Sequence, residues 1–436
     1  MESLLSWKRL CYLLILLILI QFIAQYRGLD GSSTSPNPFT SQQQIPLNPE
    51  GEPADGLTQT QCDKLFPELY QEVDRAVAYW KGRGHTISPQ DVDVSWRHGD
   101  DENRGGAIRI LIHNNELRIV ESKDPTIGHI GHRGREVGFL NILQRAIDSA
   151  TAGGEKLPTI EAAIITQDIA TNLPPDSSHA IWTWTRNVEN EAHNRHWLIP
   201  NFDFWYSSPM GSYLDARRRA VQYSASFSEK IQKAVWRGTG WVNFKLRGAL
   251  ADLAKGKDWA DIKILDFGGP EMEDGLAIEE LCKYAMTVHT EGVSYSGRLK
   301  YLFNCDSLPI IHELEWMVYW YAALKKEGPQ QNYIPVKRDW SDLEDKVKYY
   351  LAHPDESQRI IDNHLATFRD KYLTRAATSC YLRKLIQGYS TVAFTPEIYR
   401  PLGQGDGINR LRGISFESFT DIPRDFNEST LRLLDV

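Results

Sequence analysis

A short apolar run, Ile160 to Gln167, delivers Asp168 at its end, and a carboxylate set down at a strand terminus is placed to accept a proton. Further along, Val235-Trp236-Arg237 runs into Gly238-Thr239-Gly240 and then a helical stretch, Asn243 to Ala254, that carries Arg247. Glycines let a backbone approach an anion, and a helix start offers free N–H groups and a positive dipole end. Glu291 to Arg298 (EGVSYSGR) repeats the theme with a break, small residues, a helix start and an arginine. Either segment alone also suits an ordinary turn; the two together fit a diphosphate. Trp182, Trp184, Phe202, Phe204, Trp205 and Tyr206 offer faces that stack on a sugar or base, although such clusters more often pack a core. Asp91-Val92-Asp93 has the form of a metal-binding triplet. It precedes the first sheet and lacks a following small-residue turn, so it reads as a solvated edge. No Cys-x-x-Cys or His-x-x-x-His spacing points to zinc.

The elements that must position these groups alternate. Helix is expected over Cys62–Gly82, Val137–Ala150, Val221–Lys233, Asn243–Ala254, Glu279–Ala285, Ser296–Phe303 and Glu315–Leu324, and again from Ser341 onward. Strands are expected at Ala107–His113 and Leu117–Val120 (a hairpin), Ile160–Gln167, Ala234–Arg237, Asp261–Phe267, Leu308–His312 and Tyr333–Val336. Strands alternating with helices predict an α/β protein of parallel sheets covered on both faces, with ligands outside the carboxyl ends of the strands. Two such sheets with a crevice between them fit the length.

The chain has 436 residues, a net charge of −8, 42% hydrophobic and 24% charged residues, which is ordinary for a folded protein and excludes wholesale disorder. A mildly acidic balance provides no footprint for nucleic acid. The mean hydropathy of −0.42 excludes a polytopic membrane protein. After Trp7-Lys8-Arg9, however, an apolar run extends from Leu10 to Ala24, interrupted only by Gln21. As helix it spans about 22 Å at ~1.5 Å per residue, short for a ~30 Å hydrocarbon core. Flanking Lys8, Arg9 and Arg27 that snorkel, and a thin early-secretory membrane, absorb the mismatch. Phe22-Ile23-Ala24 lacks a small-x-small cleavage pattern, so an uncleaved signal anchor is expected, its positive flank cytosolic and the rest lumenal. A Ser-, Pro- and Gln-rich stretch follows as a stem. Cys62, Cys282, Cys305 and Cys380 then stand in an oxidising compartment, where four cysteines allow three pairings. Asn427-Glu428-Ser429 is a glycosylation sequon.

Several short motifs in consistent order resemble glycosyltransferase family 90, which includes Rumi-type protein O-glucosyltransferases and fungal capsule-associated xylosyltransferases. They are AIITQD, LIPNFDFW (Leu198 to Trp205), VWRGTG with Arg247, CKYAMTVHTEGVSYSGRLKYLFNCDSLPII, Glu315-Trp316, NYIPVKRDWSDL and CYLRKLIQGYS. The resemblance covers about residues 62 to 393. It implies an inverting, metal-independent transferase of GT-B architecture, two Rossmann-like domains facing a central cleft, that takes a sugar (xylose or glucose) from a UDP-sugar to a hydroxyl of a glycan or protein. Carried over, Asp168 is the general base. Gly238, Thr239, Arg247, Val293, Ser294, Tyr295, Ser296, Gly297 and Arg298 hold the nucleotide sugar, with Trp205 in the aromatic loop. Arg133 and Arg135 lie where the family has a donor-contacting loop. Two extra residues before Arg247 make Lys245 a rival for its role, and Gln167 stands where Rumi-type members have Arg. The implied layout is a cytosolic tail 1–9, anchor 10–24, stem 25–60, base-carrying domain 61–220, nucleotide-sugar domain 221–372, a terminal helix 373–394 packing back on the first domain, and a tail 395–436. The likeness and the cysteine count together pair Cys282 with Cys305 and Cys62 with Cys380. With no metal expected, the partners are the nucleotide-sugar donor, a glycan or protein acceptor, and the bilayer. The expected location is a type II single-pass protein of the Golgi or endoplasmic reticulum. A binding-only relative without turnover, and a hydrolase pairing Asp168 with Asp203 or Asp266, are the rival readings.

Overall fold

A hairpin opens the first sheet. Strand β1 (Ala107–His113) turns through Asn114 and Asn115, at φ 52° and 60°, into β2 (Glu116–Lys123). Two residues at positive φ match the right-handed twist of paired strands. Helix α1 (Ile130–Ala152) then crosses over to β3 (Ile160–Ile165), which pairs on the other side of β1. That crossover sets β3 parallel to β2, and therefore antiparallel to β1. Short strands β4 (Ile181–Thr183) and β5 (Trp197–Leu198) extend the sheet in parallel. The second sheet consists of β6 (Ile231–Gly238), β7 (Ala260–Ile264), β8 (Tyr284–His289), β9 (Leu308–His312) and β10 (Ile334–Val336). A late strand, β11 (Ile414–Ser415), closes the edge of the first sheet against β2.

This computed structural model describes residues 54–96, 106–123, 130–169, 178–207, 210–265, 274–401 and 409–421. Among them the strands form a six-stranded sheet of order β11-β2-β1-β3-β4-β5, a five-stranded sheet of order β7-β6-β8-β9-β10, and three short two-stranded ribbons. The first sheet is mixed, not parallel as expected, because a two-residue turn can return a strand only antiparallel. The second is parallel throughout. All described residues fall within one unit of the chain, Ile45–Val436.

Three sequence expectations are revised. The helix expected over Val221–Lys233 instead ends at Val221, and β6 begins at Ile231. Glu279–Ala285 is a 3-10 turn, Ile278–Lys283, that leads into β8, the middle strand of the second sheet. Every residue of β8 is buried, so no alternation of polar and apolar residues marks it as a strand. Glu315–Leu324 is a two-residue strand and a 3-10 turn, although Tyr319, Trp320 and Tyr321 are buried there.

Two apolar cores hold the sheets. One gathers Ile110, Ile164, Leu143, Ile147, Trp182 and Leu385; the other gathers Trp236, Met286, Ile310, Leu250, Val347 and Ile361. Helix α4 (Arg375–Ser390) packs into the first, with the Tyr381 hydroxyl donating to the Leu198 carbonyl at 2.6 Å and Arg383 Nε donating to Glu155 at 2.6 Å. Cys62 is bonded to Cys380 and Cys282 to Cys305, the pairing that the family likeness implied.

The apolar run 10–24, the stem up to residue 53, Asp266 and Asn427 lie outside the described residues. Among the described residues no helix is long and apolar enough to cross a membrane. The expectation of a single-pass type II protein, with the bilayer as partner and a Golgi or endoplasmic-reticulum location resting on that anchor, is corrected accordingly. Asp91 is not a solvated edge. Its buried carboxylate caps the 3-10 turn Pro89–Val92 and accepts from the Ser88 backbone, the Ser88 hydroxyl, His85 and Ser178. Burial works to raise this carboxyl, but those bonds outweigh it and hold it below the usual range.

Candidate active site

In the second sheet the chain passes from β6 outward to β7 and then back across to β8, so the strand order reverses between β6 and β8. Open parallel sheets bind ligands at such a switch point, outside the carboxyl ends of the strands. Strand β6 ends at Gly238, followed by Thr239-Gly240, a 3-10 turn Trp241–Asn243, and α2 (Phe244–Ala254), whose Leu246 N–H donates to the Asn243 side chain. The 3-10 turn is followed by an exposed Lys245 and a buried Arg247. Arg247 donates from Nε to the Glu291 carbonyl at 3.0 Å, and from Nη1 to the Thr239 carbonyl at 3.0 Å and hydroxyl at 3.3 Å. It therefore ties the turn after β6 to the loop after β8.

Arg298 opens the short helix α3 (Leu299–Leu302) and donates from Nη1 to the Arg237 carbonyl, near the end of β6. Burial lowers both guanidinium groups to about 10, and for Arg298 the charge of Arg247 adds to the effect. No carboxylate among the described residues offsets either charge. Both remain protonated at neutral pH, so the switch point carries two neighbouring cations suited to an anion of two charges or more. Gly292 permits the close approach. A Cβ there would sit 3.4 Å from Arg247 Nη2 and 3.3 Å from Val242.

Glu291 fixes this loop from behind. Its buried carboxylate accepts from the Glu315 and Trp316 N–H groups and from Arg338, at 3.0, 2.8 and 2.7 Å. Burial still pushes it up from the ordinary carboxylate value. Its own N–H donates to His312 Nε2 at 3.0 Å, while His312 Nδ1 faces the Glu313 carbonyl at 2.7 Å. His312 is accordingly a neutral imidazole that donates from Nδ1.

The carboxyl end of β3 delivers Asp168 to the same place. Its side chain is 52% exposed, with Oδ1 held by Arg135 Nη1 at 3.1 Å. Its backbone carbonyl accepts from the Ser294 hydroxyl at 2.7 Å, a contact 126 residues apart in sequence. Asp168 therefore adjoins the loop that ends in Arg298. The next residue, Tyr295, is a neutral phenol raised well above its usual value by burial and then by the charges of Asp168 and Asp203, and its oxygen accepts from Asn201 at 3.1 Å. Beneath Gly297, Asp203 and Lys300 form a buried ion pair. Burial pushes the Asp203 carboxyl up and the Lys300 ammonium down. Ser296 and Gly297 line a small hollow with Trp184, Asn201, Tyr319 and Tyr321.

Gly238, Thr239, Arg247, Ser294, Tyr295, Gly297, Arg298 and Asp168 are thus brought into one neighbourhood. Val293 is 56% exposed on the rim of the same loop. Trp205 is not part of the neighbourhood: it is 38% exposed and lies against Arg145, 5.6 Å from that guanidinium. Phe202, three residues earlier, is the loop aromatic beside Arg135, at 5.2 Å. Arg133 turns to the late helix Phe416–Asp421, over Phe419. Sequence reasoning missed the buried pair Asp203–Lys300 and the bracing by Arg338 and His312, for which no local spacing gives a signal. Among the described residues no three His, Cys, Asp or Glu side chains converge as a metal site.

The turn after β6, the loop after β8 with its two arginines, and the strand-end carboxylate of Asp168 thus converge at the switch point of the second sheet. The profile of Glycosyl transferase family 90 matches residues 172–401, more than half of the chain, and the chain belongs to that family. Human Protein O-glucosyltransferase 1 is 31% identical over 258 residues, 54% of this chain and 63% of the relative. Protein O-glucosyltransferase 2 of Danio rerio is 26% identical over 283 residues, 61% and 54% of the two chains. O-glucosyltransferase rumi of Drosophila melanogaster is 30% identical over 140 residues, 32% and 33% of the two. The chain therefore matches less than two thirds of the length of these relatives. Asp168 and Arg135 precede the matched family region, so their placement rests on geometry.

Proposed function

We propose that this chain is an inverting, metal-independent glycosyltransferase of GT-B layout that moves glucose or xylose from a UDP-sugar to a hydroxyl of a protein or glycan. In this reading residues 61–220 carry the base, residues 221–372 bind the nucleotide sugar, and the crevice between the two sheets is the active site. The Asp168 carboxylate takes the proton of the acceptor hydroxyl, whose oxygen bonds to the anomeric carbon from the face opposite UDP. The carbon–oxygen bond to the β-phosphate breaks and its electron pair leaves with UDP. Arg247 and Arg298 stabilise the charge that accumulates there, where one well-placed donor is worth about 3 kcal/mol. A single base suffices for such a displacement, whereas a glycosidase requires two facing carboxylates. Asp203, the described rival for a second acid, is buried in its pair with Lys300 and unsuited to that role.

The observation that carries this reading is the Ser294–Asp168 contact, which joins the strand-end carboxylate to the arginine loop. The relatives' names, all O-glucosyltransferases and most of them protein O-glucosyltransferases, favour a protein acceptor and glucose. Purified chain given a panel of UDP-sugars should release UDP from one or two of them, faster with acceptor present. Failure to release UDP from any sugar would contradict the proposal.

A further inference from the structure

The geometry points to Arg135 as a positioning residue that holds the Asp168 carboxylate with one oxygen left open for the incoming hydroxyl; the inference rests on the reading of Asp168 as general base. Arg135 lies in the second turn of α1, one turn before Gly138 and on the same face. A Cβ at Gly138 would meet Phe202 Cβ and the Phe202 carbonyl oxygen at 3.2 Å, so the missing side chain lets α1 lie directly against the Phe202–Phe204 turn. One turn back, the Arg135 guanidinium lies over the Phe202 ring at 5.2 Å. From there Nη1 reaches the Thr166 carbonyl at 3.4 Å and Asp168 Oδ1 at 3.1 Å.

Three features of this contact matter. The guanidinium bonds both the backbone leaving β3 and the side chain two residues on, which fixes the carboxylate relative to its strand. It engages one carboxylate oxygen through one nitrogen, and no described group bonds Asp168 Oδ2. That oxygen keeps its lone pairs for the acceptor proton. The opposite end of Asp168 is tied by Ser294, from the arginine loop, so the base is anchored from both sides of the crevice. A half-exposed aspartate without these ties would sample several rotamers, and misplacing a reacting group by about 1 Å costs on the order of 100-fold in rate.

The test uses the full chain, steady-state UDP release at saturating UDP-sugar, and calorimetric binding of UDP. Arg135→Gln should lower kcat about 100-fold while the UDP dissociation constant stays within about twofold. Arg135→Met, which keeps an unbranched stem but removes the guanidinium, should show the same loss. Arg135→Lys, able to reach one oxygen, should recover most of it. Because Arg135 acts through Asp168, Asp168→Asn/Arg135→Gln should be no slower than Asp168→Asn alone. The inference is overturned if either neutral variant keeps wild-type kcat, if UDP binding weakens as much as kcat falls, or if the double variant is slower than Asp168→Asn. A wild-type chain that releases no UDP would instead refute the functional reading itself.

Discussion

Charge at the switch point is placed residue by residue. Arg298 reaches the end of β6 with no acidic partner among the described residues, and in the proposed reading it meets the diphosphate. Arg298→Ala should weaken UDP binding by about 10- to 150-fold, the loss of one charge-assisted bond of about 1.5–3 kcal/mol, as calorimetry would show. Arg298→Lys should restore part of it, since an ammonium lacks the planar fork. Gly297 tests the support beneath the loop. A Cβ there would lie 2.7 Å from Asp203 Oδ2 and 3.1 Å from Asn201 Nδ2. Gly297→Ala should therefore displace Asp203 from Lys300 and cost about 1–3 kcal/mol, read as a lowered Tm. Asp168, Thr239, Arg247 and Arg298 stand out in the sequence as candidates because a strand end or a glycine turn precedes each. Trp205 misled because loop aromatics look alike, and only packing reveals that Phe202 faces the site while Trp205 faces Arg145.

Elements divide by how locally they are determined. The hairpin through Asn114-Asn115 and the helix over 244–254 follow from turn chemistry and periodicity, and both are present. Strand β8 was illegible because its residues are buried on both faces, and the preceding Glu279-Glu280-Leu281 reads as helix. The antiparallel placement of β3 was equally hidden, since it depends on which side of β1 the crossover lands. Helix α4 is bound to the first core at long range by Cys62–Cys380, a link spanning 318 residues. Such a bridge restricts the unfolded chain strongly. Replacing both cysteines by serine should lower stability by about 2–5 kcal/mol in denaturant unfolding, with m raised because the unlinked denatured chain expands. An unchanged midpoint would show that α4 is held by packing alone.

The molecule as a whole buries several imidazoles in the neutral form. Burial lowers His312 to about 4 and His364 to about 3, and lowers His196 and His289 well below their usual value. Because the folded values lie below the unfolded one near 6.5, the unfolded chain binds protons that the folded chain refuses. Their stability contribution is complete above about pH 6.5 and is lost as pH falls toward 4, on the order of 3 kcal/mol for His312 alone. Tm should hold steady from pH 8 to 7 and fall between pH 6.5 and 4, and His312→Gln should flatten that fall. The two-sheet plan was legible at this scale because alternating elements and length together demand it. The meeting of residue 168 with residue 294 was not, since no sequence spacing encodes a contact between two sheets.

In the proposed displacement a carboxylate on one sheet and arginines on the other act together. Asp168→Asn separates their duties most directly, by comparing UDP affinity with sugar transfer in the same preparation. UDP binding should equal that of the unaltered chain, and transfer should be slower by about 10²–10⁴-fold. Undiminished transfer would contradict this reading.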